Sequence, residues 1–168
     1  MPNWMKTYVK TVEAVNYRVG RFAMYLLFVI MAILIWSSVT KAIRMPAMWT
    51  LEMAQFTLVA YYLLGAPYSM QLGSNVRMDL LYSRMRPRTQ ALWDAFTIFA
   101  LIFYLGVMLY GAVESTIYAV EVGERSPSPW RPYLWPFKTM ICAAFVLMIL
   151  QAFVHLFRDI AVLRGEEL

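Results

Sequence analysis

Few side chains in this sequence could do chemistry, and most of those stand at the ends of apolar runs. The segment Gly73–Arg88, GSNVRMDLLYSRMRPR, places Arg77 and Asp79 two residues apart and follows them with Arg84, Arg86 and Arg88. Such a cluster is either an active site at a membrane surface or an anchor and docking segment. The wider inventory is thin. His155 is the only histidine and Cys142 the only cysteine. A bis-histidine haem needs two facing imidazoles, and a metal site needs convergent His, Cys, Asp or Glu. A lone thiol excludes an intramolecular disulfide and a Cys-x-x-Cys redox pair. No glycine-rich phosphate loop occurs. The residue types point away from an enzyme, and no cofactor or metal is expected on this chain.

The elements that must carry these residues are legible from the charge pattern. Of 168 residues, 61% are hydrophobic and 15% charged, where a soluble domain would carry roughly 25% charge. Four runs lack Asp, Glu, Lys and Arg: Phe22–Thr40, Met53–Val76, Ala95–Val113 and Thr139–Phe157, of 19, 24, 19 and 19 residues. A helix of nineteen residues rises about 28 Å, close to the roughly 30 Å hydrocarbon core. Lipid cannot satisfy open backbone groups, so these runs must be helical. The expected fold is an all-α integral membrane protein. Its single domain (1–168) has four transmembrane helices, over about 22–43, 52–76, 92–115 and 137–160. The first run is longer than a signal-peptide core and is expected to be retained.

Ahead of the first span, Met5, Tyr8, Val9, Val12, Val15 and Val19 recur at helical spacing, with Lys6, Lys10 and Glu13 elsewhere around the helix. This predicts an amphipathic helix over residues 1–21, lying in the interface with its lysines toward anionic lipid. Met78, Leu81, Tyr82 and Met85 predict a second short interfacial helix. From Pro87 the helical pattern runs to about Val122, with Gly123 as its stop. The segment Glu124–Pro132 is too rich in proline to be helical throughout.

With four spans, residues 1–21, 77–94 and 158–168 share one side and carry ten Lys and Arg. Residues 41–52 and 114–138 share the other and carry five. The positive-inside rule places both termini in the cytoplasm. In a membrane protein a net charge of +5 reports orientation and contact with lipid headgroups, not nucleic acid. Ion and substrate paths through lipid usually carry intramembrane ionisable groups; the four runs hold no carboxylate, lysine or arginine, and His155 lies near the inner end of the last. Uncharged polar residues such as Gln151 can instead hydrogen-bond across helices, as in packing against another membrane subunit.

Three local patterns resemble the small membrane subunit of TRAP (tripartite ATP-independent periplasmic) transporters, the DctQ-like family. The first is Trp49-x-x-Glu52. The second is Gly73-Ser74-Asn75-Val76-Arg77-Met78-Asp79-Leu80-Leu81-Tyr82, similar to the family's G-x-H-V-R-V-D-x-x-Y with Asn75 in place of histidine. The third is Glu124-x-Ser126, then Pro132-x-x-Trp135-x-x-Lys138, and later Gln151. A proline and glycine common after the family's lysine are absent here, where Met140–Ala143 follow.

The resemblance implies a non-catalytic scaffold subunit in a bacterial inner membrane. Its partners would be a large DctM-like membrane subunit, which holds the sodium and substrate sites, and a DctP-like periplasmic binding protein that delivers an organic acid. In that setting Asp79 can accept from Arg77 or from backbone N–H groups and pin the turn where the second span exits. Glu124, Ser126, Arg131, Trp135 and Lys138 become candidates for contact with the binding protein or the large subunit, and Trp49, Glu52 and Gln151 for anchoring. Two other readings stay open from the residues themselves: a self-contained small transporter acting as a homo-oligomer, and a membrane-bound enzyme.

Overall fold

A computed structural model of the chain describes residues 3–45, 47–73 and 87–164. Those residues contain four α-helices: α1 (Asn3–Ala42), α2 (Thr50–Gln71), α3 (Pro87–Val122) and α4 (Trp135–Arg164). Among the described residues there is no β-strand, only an isolated bridge between Arg125 and Tyr133. The chain forms two helical hairpins, α1–α2 and α3–α4, joined because α4 also packs on α1 and α2. α4 is therefore central: 28% of its membrane-competent stretch is buried, against 6% for α3. Fully buried Ala144 and Ala152 line α4, and small residues let neighbouring backbones approach closely.

Among the described residues three helices are long and apolar enough to cross a membrane, over Trp4–Ala42, Phe96–Val122 and Trp135–Arg158. α2 is not among them. Its 22 residues rise about 33 Å, enough for a bilayer, but Gln55, Tyr61, Tyr62 and Tyr68 lower its hydropathy.

The segment expected to lie in the interface is continuous with the first apolar run. α1 is one helix of 40 residues, about 60 Å long. Val9, Asn16, Ala23, Ile30 and Ser37 are buried along it, one every seven residues, the repeat that keeps a single seam toward a partner. The first turns of that seam do not face lipid. Val9 and Val12 pack with Val154 of α4, with Tyr8 and Leu150 alongside. Trp4 and Tyr8 meet Phe157 edge-on, at centroid distances of 6.0 and 5.7 Å. The second predicted interfacial helix, at residues 78–85, lies outside the described residues.

Helix ends follow local chemistry. Gly123 closes α3 at φ +64°, and Glu124 N–H donates to the Ala119 carbonyl at 3.0 Å, a Schellman closure. α1 ends in the same way around Arg44, at φ +60°, with Met45 N–H on the Thr40 carbonyl at 3.0 Å. In the α1–α2 hairpin the hydroxyls of Ser37 and Thr50 lie 3.1 Å apart at one end. At the other, Tyr68 presses on Gly20 so closely that an added Cβ would sit 2.4 Å from the Tyr68 ring.

Candidate partner interface

The proline-rich segment between α3 and α4 folds back on itself. Pro127, Pro129 and Pro132 have no N–H to give a helix, so the remaining donors pair across the loop. Ser126 N–H donates to the Pro132 carbonyl at 3.0 Å and Leu134 N–H to the Glu124 carbonyl at 3.1 Å. Arg131 N–H reaches back to the Ser128 carbonyl and hydroxyl, each at 3.2 Å. This turn holds Arg131 at φ +48°. The Arg125 guanidinium lies over the Tyr133 ring, 4.2 Å from its centroid, and bonds its hydroxyl.

The braced loop ties the ends of three helices together. Ser126 Oγ donates to Glu52 Oε1 at 2.7 Å. Glu52 lies in the first turn of α2, where the exposed N–H groups of a helix favour a carboxylate. Glu124 Oε2 is 2.5 Å from Lys138 Nζ in the first turn of α4, and the same ammonium lies 3.4 Å from the Ser115 carbonyl of α3. A polar chain thus runs from α2 through the loop to α4 and α3. Beneath it, Phe56 of α2 and Phe137 of α4 stack with centroids 4.5 Å apart. Glu52 Oε2 is buried with no hydrogen-bond partner among the described residues.

The other predicted residues are distributed as follows. Trp49 precedes α2 and Trp135 opens α4, both partly exposed at this end of the bundle. Arg131 is exposed at the turn of the loop. Arg77 and Asp79 lie outside the described residues. Gln151 is elsewhere, in the α1–α4 contact, and is fully buried. Asn16 Nδ2 donates to its Oε1 at 2.7 Å. Its hydrogen bond across helices therefore stays within the chain, and a side chain at 0% exposure does not reach a second subunit.

Sequence reasoning missed the polar contacts around Gln151. Asn16 is 1% exposed, and one turn before it Glu13 forms an ion pair with Arg158. Tyr8 Oη donates to the Leu150 carbonyl at 3.3 Å, and His155 Nε2 lies 3.0 Å from the Met70 carbonyl. The available signal was the position of Asn16 midway between Val9 and Ala23 in the seven-residue repeat.

The arrangement can brace: Glu52, Glu124, Lys138, Glu13 and Arg158 each bond another element of the same chain. The sequence matches the family described as "Tripartite ATP-independent periplasmic transporters, DctQ component" over residues 30–162, more than half of the chain. No curated protein and no solved structure matches it. The matched segment takes in Trp49, Glu52, Glu124, Ser126, Lys138 and Gln151, together with α2, α3, most of α4 and the last third of α1, and on that match the chain belongs to the family of DctQ components, the small membrane subunits of tripartite ATP-independent periplasmic transporters.

Proposed function

We propose that this chain is the static, non-catalytic brace of a sodium-coupled importer of organic acids in a bacterial inner membrane. It crosses the membrane four times, with α2 as the fourth span and both termini in the cytoplasm. A large membrane subunit carries the sodium and substrate sites, and a periplasmic protein delivers the substrate. The end of the bundle that holds Trp49, Arg131 and Trp135 faces the periplasm and helps dock that protein.

One observation carries this reading: the linkage Glu52–Ser126 and Glu124–Lys138–Ser115. It fixes the outer ends of α2, α3 and α4 to one another, as a scaffold requires, and spends on bracing the carboxylates that a conduit would use. α3 complements it, because most of its apolar surface is uncovered by this chain and is available to a larger neighbour or to lipid.

The test is reconstitution. The chain and the large subunit, extracted together in mild detergent, should copurify. Vesicles holding both, with the binding protein outside, should accumulate an organic acid under an inward sodium gradient. Vesicles holding this chain alone should not. Uptake by the lone chain would replace the brace with a self-contained homo-oligomeric transporter.

A further inference from the structure

A groove of about 490 Å³ runs between α1 and α2 on the bundle surface. Gly20, Ala23, Gly65 and Ala66 line it and leave it room. Along α2 it extends from Tyr61 to Leu72, about 16 Å at the helical rise. That is roughly half the 30 Å hydrocarbon core, the depth of one leaflet. No charged side chain among the described residues lines it. Arg21 is exposed on α1 one residue past Gly20 of the lining, whereas Phe22–Thr40, beside its Tyr61 half, holds no charged residue. Arg21 is tied to the groove wall: its Nη1 donates to Tyr17 Oη at 3.4 Å, and Tyr17 lies edge-on to Tyr68, centroids 5.9 Å apart, which lines the groove.

We infer that this groove holds one acyl chain of an anionic phospholipid, with the lipid phosphate at Arg21. Two features select that occupant. The depth is that of a single leaflet, so a helix crossing the whole bilayer would find its seat ending halfway. The charge asymmetry matches a molecule with an anionic head and an uncharged tail, and arginine suits phosphate because its planar fork bonds two oxygens at once. The inference goes beyond the scaffold reading and stands whether or not the chain assembles with a large subunit.

The test uses the full chain in mild detergent and native mass spectrometry with phosphatidylglycerol or phosphatidylcholine added. The wild type should retain one phosphatidylglycerol with at least tenfold preference over phosphatidylcholine. Arg21→Gln, on an exposed side chain, should bring that preference to within twofold. Gly65→Leu fills the groove, and a Cβ at Gly65 meets nothing within 4 Å, so the fold accommodates it; retention of both lipids should fall at least tenfold. Should that variant fail to fold, the Arg21→Gln chain still decides the question. Equal retention of the two lipids by the wild type would overturn the inference, as would undiminished retention by a folded Gly65→Leu chain. So would a photo-crosslinker at Tyr62 that captures a protein in cells instead of a lipid.

Discussion

Ser126 and Glu52, seventy-four residues apart, meet through a 2.7 Å hydrogen bond that ties the proline-braced loop to the first turn of α2. Hydrogen bonds to charged groups contribute about 1.5–3 kcal/mol. Ser126→Ala should lower the thermal midpoint of the detergent-solubilised chain by an amount corresponding to about 2 kcal/mol. Glu52→Ala should do the same, and the double variant should cost little more than either alone. Strictly additive losses would show that the two side chains do not act as a unit.

The Glu124–Lys138 pair is partly buried, with side-chain exposures of 34% and 21%. Solvent screening therefore holds its contribution near the upper part of the range for surface pairs, about 1 kcal/mol. Charge reversal at either residue should destabilise the loop end of the bundle and slow uptake by the assembled transporter. Glu124→Lys/Lys138→Glu should restore a large share of both. Comparison of initial uptake rates across the four combinations checks this, and a double variant no better than the singles would count against the pair.

The buried Asn16–Gln151 contact leaves Asn16 Oδ1 and Gln151 Nε2 without partners among the described residues. Removing one amide strands the other, so Asn16→Leu or Gln151→Leu alone should cost about 1–3 kcal/mol. Asn16→Leu/Gln151→Leu should be near neutral or stabilising, because a well-packed apolar contact replaces a half-satisfied one. Thermal unfolding followed by circular dichroism would distinguish these outcomes.

Gly20 and Gly65 lie at sites that differ in free space. A Cβ at Gly20 would lie 2.4 Å from Tyr68 Cβ and Cγ, and one at Gly65 would meet nothing within 4 Å. Gly20→Ala should therefore push α1 and α2 apart and destabilise by about 1–3 kcal/mol. Gly65→Ala should stabilise α2 by about 0.5–1 kcal/mol through helix propensity alone. Midpoints that move in the same direction for both would contradict this packing.

Much of the fold was legible because its causes are local. The extent of α3, from Pro87 to Val122 with Gly123 as its stop, follows from a proline that costs nothing in the first turn and a glycine free to adopt positive φ. The apolar runs announced the helices by length. The fate of residues 3–21 was not legible, since the same amphipathic spacing serves a helix lying on lipid or one packed on α4, and only the position of Val154, Leu150 and Phe157 decides between them. The site was legible in part. Glu52, Ser126, Glu124 and Lys138 stood out as residues, but their pairing depends on how the α3–α4 loop folds over α2. Asn16 and Gln151 are 135 positions apart, and no local pattern joins them.

α1 is a single stiff rod gripped at three heights: by α4 near Val9 and Asn16, by Tyr68 at Gly20, and by Thr50 at Ser37. It has no proline, hence no built-in hinge of the usual kind. A displacement of its N-terminal turns must therefore swing the Ala42 end as well. The two surfaces of the bilayer are mechanically yoked through this one helix, and a push on either side is felt on the other.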